Sequence, residues 1–108
     1  MGMAESKVIP FGMNDQMLSR RIAEVAKDSS KVIILPHAKQ RMRQRGVLLT
    51  QVNQVLLKGR VVEHAHRDIH GNWKCTLEAT IAGDRIKVAA ALQEDPAGDF
   101  VIVITVMN

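Results

Sequence analysis

Three side chains that could bind or cleave a phosphodiester recur at four-residue spacing: His37, Arg41 and Arg45. On a helix, at 100° per residue, they fall at about 0°, 40° and 80° and so form one row. A guanidinium binds phosphate oxygens in pairs, and a histidine exchanges a proton near neutral pH. A metal-independent ribonuclease needs a base for the ribose 2′-hydroxyl, cations for the phosphorane and an acid for the leaving oxygen. We therefore interpret this basic row as candidate catalytic residues, with both arginines also binding substrate.

Two other interpretations of the row stay open at this stage. A short helix rich in Lys, Arg and Gln is often only a solvated surface. Alternatively, Arg41 and Arg45 can pair internally with Glu63, Glu78 or Asp84 and act as structural struts. The helical period alone does not distinguish these interpretations from a site.

A second group of polar residues lies on a predicted strand. His64 and His66 are two residues apart, which places both on one face, and His70 follows in a predicted turn. His64 and His66 are candidate substrate-binding residues, and either could supply the second proton-transfer group. Two such histidines can also bind metal. However, Cys75 shares its strand face with the predicted core residues Trp73 and Leu77, and no carboxylate lies at a spacing that completes a site. We expect neither a metal nor another cofactor, and incidental surface histidines remain an alternative.

The whole chain has the size and composition of one folded domain. It has 108 residues, 46% of them hydrophobic, and a formal net charge of +4, which favours an acidic partner without requiring one. We expect a flexible lead over residues 1–13 and a single α+β domain over 14–108. The single cysteine suits a reducing compartment, and no run approaches the roughly 20 apolar residues of a membrane span. The sequence therefore predicts a cytoplasmic protein that does not enter a membrane.

The hydrophobic period then predicts the elements that must position the candidate residues. An amphipathic helix begins at Asn14 or Asp15, and Met17 belongs to its apolar stripe. The order is helix followed by β-α-α-β-β-β-β, with the helices on one face of a mostly antiparallel sheet and the last strand beside the first. The last strand is apolar at both parities and is expected to be covered on both faces. The remaining predicted elements are a buried strand Val32–Leu35, a helix that begins at Pro36 and ends just before Gly46, a helix Thr50–Lys58 with Thr50 as cap, and strands Arg60–His66, Trp73–Ile81, Arg85–Leu92 and Phe100–Val106.

The central part of this pattern resembles the small bacterial domain of unknown function 4258 family over a core of residues 31–107. The resemblance rests on three features: the spacing His37-Ala38-x-x-Arg41-Met42-x-x-Arg45-Gly46, the following helix with Val52, Val55 and Leu56 before Gly59, and the closing Ile104-Thr105-Val106. It implies a fold similar to the RelE and ParE toxins, with two helices on a curled sheet. By the same resemblance, His37, Arg41 and Arg45 are functional positions, and Thr105 is a further substrate-binding candidate.

Two functions follow as expectations. The first is a toxin-like RNA-binding protein, with metal-independent endoribonuclease activity through the basic row as an open question. RelE-type ribonucleases commonly use a tyrosine near the C-terminus, and this chain contains none. The alternative is a non-enzymatic module whose basic helix docks an acidic protein partner, either an antitoxin-like segment or a phage or host factor.

Overall fold

A computed structural model describes residues 13–108. The predicted α+β class and the element order are confirmed, since three helices pack on one five-stranded sheet. The expected lead, residues 1–13, lies outside the described residues except for Met13, which packs against the core. The elements are α1 (Asp15–Ala26), a 3₁₀ turn (Ser29–Lys31), β1 (Val32–Ile34), α2 (Pro36–Arg45), α3 (Leu49–Lys58), β2 (Arg60–Arg67), β3 (Trp73–Ile81), β4 (Asp84–Gln93) and β5 (Phe100–Met107).

The strands are ordered β1-β5-β4-β3-β2 across the sheet. Neighbours are antiparallel except for β1 and β5, which run parallel. The predicted pairing of the last strand with the first is therefore confirmed. After β1 ends, the N–H of Leu35 still donates to the carbonyl of Val103 at 3.1 Å, so the chain enters α2 while attached to β5.

Helix α1 packs through a stripe of four-residue spacing made by Leu18, Ile22 and Ala26, which are buried. Asn14 caps it by accepting a hydrogen bond from the N–H of Met17 at 2.8 Å, as predicted. The placement of Met17 in the buried stripe was wrong, because its side chain is 42% exposed. It precedes Leu18 by about 100° on the helix and thus points away from the sheet.

Helix α2 has the ends that its sequence predicts. Pro36 occupies the first turn, and Gly46 ends the helix in the left-handed conformation at φ 66°. Between them Ala38 is fully buried and Met42 packs against the core, which seats the helix on β5.

Helix α3 begins one residue earlier than predicted. Leu48 is its N-cap, and Gln51 Oε1 reaches back to accept a hydrogen bond from the N–H of Leu48 at 2.8 Å. Thr50 is therefore inside the first turn, and its assignment as the cap was wrong. This bond is the half of a capping box that the third helical residue supplies, whereas the apolar side chain of Leu48 accepts no hydrogen bond in return.

The sheet has an inner face under the helices and an outer face on which no helix packs within residues 13–108. Two expectations of complete burial were wrong, one for a strand covered on one face only and one for a strand at the sheet edge. On β5, Val101 and Val103 are buried, whereas Ile102 and Ile104 of the outer face are only partly covered. On β1, Ile33 is 41% exposed because this strand forms an edge of the sheet.

Candidate functional site

The basic row lies on α2, on a helix surface bordering the buried Ala38. His37 and Arg45 are exposed, and Arg41 is half-buried. Arg45 Nη1 lies 3.5 Å from Asn108 Oδ1, which is the oxygen of a neutral amide. Among residues 13–108, no carboxylate forms an ion pair with either arginine or with His37. The positive charge of the row is thus not neutralised by this part of the chain.

Two of the three carboxylates considered as internal struts have other partners. Glu63 Oε1 accepts a hydrogen bond from Thr76 Oγ1 at 2.6 Å, which also explains why Thr76 is buried despite its outward parity. Glu78 Oε1 lies 3.5 Å from a guanidinium nitrogen of Arg60. Asp84 forms no ion pair with the row within the described residues. The strut interpretation therefore finds no support in residues 13–108.

The two histidines of β2 are separated by an irregularity in the strand. The pairing of β2 with β3 shifts register between Glu63 and His66, so an extra residue is accommodated there. His64 Nδ1 then lies 2.6 Å from Asp15 Oδ2 at the start of α1. His66 stands opposite Lys74, which lies on the outer face. The two side chains consequently have different surroundings.

Asp15 and His64 form an exposed acid–histidine pair. Asp15 Oδ1 also accepts a hydrogen bond from the N–H of Ala65 at 2.7 Å. The pKa of Asp15 is lowered, first by the Ala65 N–H and then by the hydrogen bond with His64. The pKa of His64 is raised, because the Asp15 carboxylate stabilises the imidazolium through the hydrogen bond and its charge. This pair joins α1 to the outermost strand.

Thr105 also lies away from the basic row. It stands opposite Ala89, while Val103 and Val106 stand opposite Ala90 and the buried Val88. A register shift between Ala89 and Ala90 accommodates Ile104 as the extra residue of β5. Thr105 is therefore on the outer face, and α2 packs on β5 from the inner face.

The structure brings together His37, Arg41 and Arg45. The other three candidates, His64, His66 and Thr105, lie elsewhere. The strand under α2 is β5, and β2 is three strands away at the edge of the sheet. Three strand spacings correspond to about 14 Å. His64 and His66 on β2 are thus remote from the row across the sheet, and Thr105 is on its other side.

The outer face contains a hollow that sequence reasoning missed. It has a volume of about 600 Å³, and Leu35, Ile102 and Ile104 form part of its apolar wall. Lys74 and Gln93 contribute polar groups to the same hollow. The alternation along β3, β4 and β5 assigns these residues to the outer face, but only the observed strand order shows that they meet.

Cys75 does not form a metal centre with the histidines of the described structure. Cys75 is buried, and desolvation raises the pKa of its thiol to about 12. Within residues 13–108, no three side chains of His, Cys, Asp or Glu gather closely enough to hold a metal ion. None of the described helices is long and apolar enough to cross a membrane.

The fold is thus an α+β domain in which three helices cover one face of a five-stranded sheet and one of them presents a basic row. Residues 34–108 match the model of the family described as Domain of unknown function (DUF4258), and the chain belongs to that family. The matched region begins at the end of β1 and contains the row and the strands β3, β4 and β5 that line the hollow, whereas α1 precedes it. The chain matches no curated protein and no solved structure.

Proposed function

We propose that this protein binds RNA through the basic row formed by His37, Arg41 and Arg45. The observation that supports the proposal is a line of three basic side chains on α2 with no neutralising carboxylate among residues 13–108. A cation already paired with a carboxylate gives little net attraction to phosphate, whereas these remain available for it. The similarity to RelE and ParE toxins that the sequence implies is part of this proposal.

The spacing of the two arginines suits a polyanion. Four residues advance a helix by about 6 Å, so Arg41 and Arg45 present their guanidinium forks one turn apart along one line. Each fork donates two parallel hydrogen bonds to one phosphate, and a ring N–H of His37 adds a further donor. Such contacts position the RNA backbone without selecting a base sequence.

Cleavage is a further step that requires more than the row provides. His37 is the one proton-transfer group among the three, and a phosphodiester cleavage needs a base and an acid. His64 and His66 lie about three strands away, so neither supplies the second group in this arrangement. We therefore propose RNA binding as the primary function. Metal-independent cleavage would require a second proton-transfer group from the substrate or the solvent.

The proposal is tested by the fluorescence anisotropy of a labelled single-stranded RNA. We expect the double variant Arg41→Ala/Arg45→Ala to weaken binding at least tenfold, because two charge-assisted phosphate contacts are worth about 1.4 kcal/mol or more together. The matched control is Lys39→Ala/Arg43→Ala, which removes the same charge from the opposite flank of the same helix. Equal losses in both variants would contradict a specific row.

Cleavage is tested on the same RNA in EDTA. If the row is catalytic, the parent protein nicks the RNA and His37→Ala does not, while its melting temperature stays close to that of the parent. If the parent protein binds the RNA and leaves it intact, the function is binding alone.

A second candidate function is supported by a different observation. Leu48 and Leu49 are exposed next to Lys39 and Arg43, where α2 passes into α3. RNA phosphates gain nothing from exposed leucines, whereas an acidic protein segment can bury an apolar side chain there. The alternative of an acidic protein partner therefore finds support on the Lys39 flank of α2 and not on the row itself.

A further inference from the structure

A shallow hollow of about 400 Å³ lies where α2 ends and α3 begins. Met42 and Val47 lie at its base, since Met42 packs against the core and Val47 is buried. Leu48 and Leu49 form its wall on the α3 side. The hollow is thus built from two consecutive helices and the short connection between them.

The two leucines stand where a helix usually has polar residues. Leu48 is the N-cap of α3 and is 64% exposed, and Leu49 is the first helical residue and is 51% exposed. Ser, Thr, Asp and Asn are preferred at an N-cap because they satisfy free backbone N–H groups. Here Gln51 accepts a hydrogen bond from the N–H of Leu48, and both leucine side chains lie at the surface without a capping role. Adjacent exposed leucines of this kind are typical of a contact surface.

The rim of the hollow on the α2 side is positively charged. Lys39 and Arg43 are one turn apart on α2, both are exposed, and both line the hollow. No acidic residue lines it, and neither cation forms an ion pair within the described part of the chain. An apolar floor beside two unneutralised cations is complementary to a segment that carries both apolar and acidic side chains.

We propose that this hollow docks an acidic amphipathic segment of a partner protein. An apolar side chain of the segment contacts Met42, Leu48 and Leu49, and its flanking carboxylates pair with Lys39 and Arg43. The inference rests on the second candidate function, in which the chain binds an acidic protein, and it specifies where and how that partner binds.

The docking hollow and the basic row occupy opposite flanks of α2. Lys39 and Arg43 fall at about 200° and 240° on the helix wheel, against about 0° to 80° for the row. Substitutions in one surface should therefore leave the other intact. This separation makes failure of the docking proposal distinguishable from failure of RNA binding.

The test is a selection from a displayed pool of random short peptides on the immobilised full chain, followed by affinity measurements on the enriched peptides. We expect enrichment of peptides that combine Asp or Glu with Leu, Ile, Met or Phe. Leu48→Ser and Arg43→Ala should each weaken these peptides by about tenfold, the factor that corresponds to one dominant interface side chain. Arg41→Ala is the matched control and should leave peptide affinity unchanged.

Four outcomes would overturn the proposal. It fails if no peptide is enriched, if the enriched peptides are basic, or if Leu48→Ser does not affect them. It also fails if Leu48→Ser abolishes binding of the labelled RNA, because the hollow would then belong to the RNA site. Since Leu48 and Arg43 are exposed, circular dichroism should show both variants folded, and the double variant Leu48→Ser/Leu49→Ser provides a second measure of the apolar contact.

Discussion

Gly59, which joins α3 to β2, lacks the space for a side chain, so any substitution there should destabilise the fold. Its backbone has φ −70° and ψ 158°, a conformation open to any residue. A Cβ placed there would lie 2.5 Å from the carbonyl oxygen of Val55 and 3.2 Å from both the carbonyl oxygen of Glu78 and Cβ of Leu77. Two of these neighbours are backbone atoms and the third belongs to a fully buried side chain. Gly59→Ala therefore forces α3 and β3 apart or breaks the 2.7 Å hydrogen bond from Gly59 N–H to Val55.

The expected cost follows from two opposing effects. Forcing a methyl group into a packed interior costs about 1–3 kcal/mol, while replacing Gly by Ala restricts the unfolded chain and returns about 0.4–1 kcal/mol. The net destabilisation of Gly59→Ala should be about 1–2 kcal/mol. For a domain of this size that corresponds to a fall in melting temperature of roughly 5–15 °C.

A comparison with Gly46 separates crowding from backbone strain. Gly46 has φ 66° with no atom within 4 Å of an added Cβ, so its constraint is the left-handed conformation. Asn adopts that conformation more readily than Ala, and hence Gly46→Asn should be more stable than Gly46→Ala. At position 59 the larger Asn should be worse than Ala. Urea unfolding of the four variants measures this, and a Gly59→Ala protein as stable as the parent would refute the reasoning.

Two further predictions concern the contacts of β2. The Asp15–His64 pair should stabilise the fold most between about pH 4 and 6.5. Because the pKa of His64 is raised in the folded protein, the contribution of the imidazolium to stability is complete below about pH 6.5 and is lost as pH rises through the pKa of the folded state. At the acidic end the contribution is lost as pH falls through the lowered pKa of Asp15. Urea unfolding should accordingly show a larger loss for His64→Ala near pH 5.5 than near pH 8.5, with the exposed His70→Ala as control; equal losses would contradict the pair. Thr76→Val keeps the shape of a buried residue but removes its hydrogen bond to Glu63, and should cost about 1 kcal/mol in the same assay, whereas no loss would mean that the bond adds nothing to stability.

The sequence predicts α2 well because its boundaries are local. Within a helix, Pro36 fits only the first turn, and Gly46 supplies the left-handed residue that ends the helix. The start of α3 was harder to predict, because its N-cap is the apolar Leu48, which gives no capping signal, and the bond from Leu48 N–H to Gln51 is made from within the helix.

Strand irregularities explain why the wider site could not be predicted. Two-residue spacing places His64 and His66 on one face only if the strand is regular, and the register shift in β2 removes that condition. The extra residue at Ile104 likewise sets the face of Thr105. Such shifts depend on how a strand pairs with its neighbours, which are distant in sequence, so the alternation within one strand does not reveal them.

Prediction from sequence meets a similar limit at Lys39 and Arg43. Their helical positions indicate correctly that they point away from the core. What lies beside them depends on Leu48 and Leu49, which belong to the next helix. Periodicity within α2 therefore predicts two solvated cations and cannot predict the apolar wall that makes them part of a surface.

The most direct test of the central claim is the salt dependence of RNA binding. Each phosphate neutralised on a single strand contributes about 0.7 to the slope of the logarithm of affinity against the logarithm of salt concentration. If Arg41 and Arg45 each bind a phosphate, the double variant Arg41→Ala/Arg45→Ala should lower the magnitude of the slope by about 1.4, while Lys39→Ala/Arg43→Ala leaves it unchanged. A slope that is the same in the parent and the Arg41→Ala/Arg45→Ala variant, or a parent protein that binds no RNA, would contradict the account.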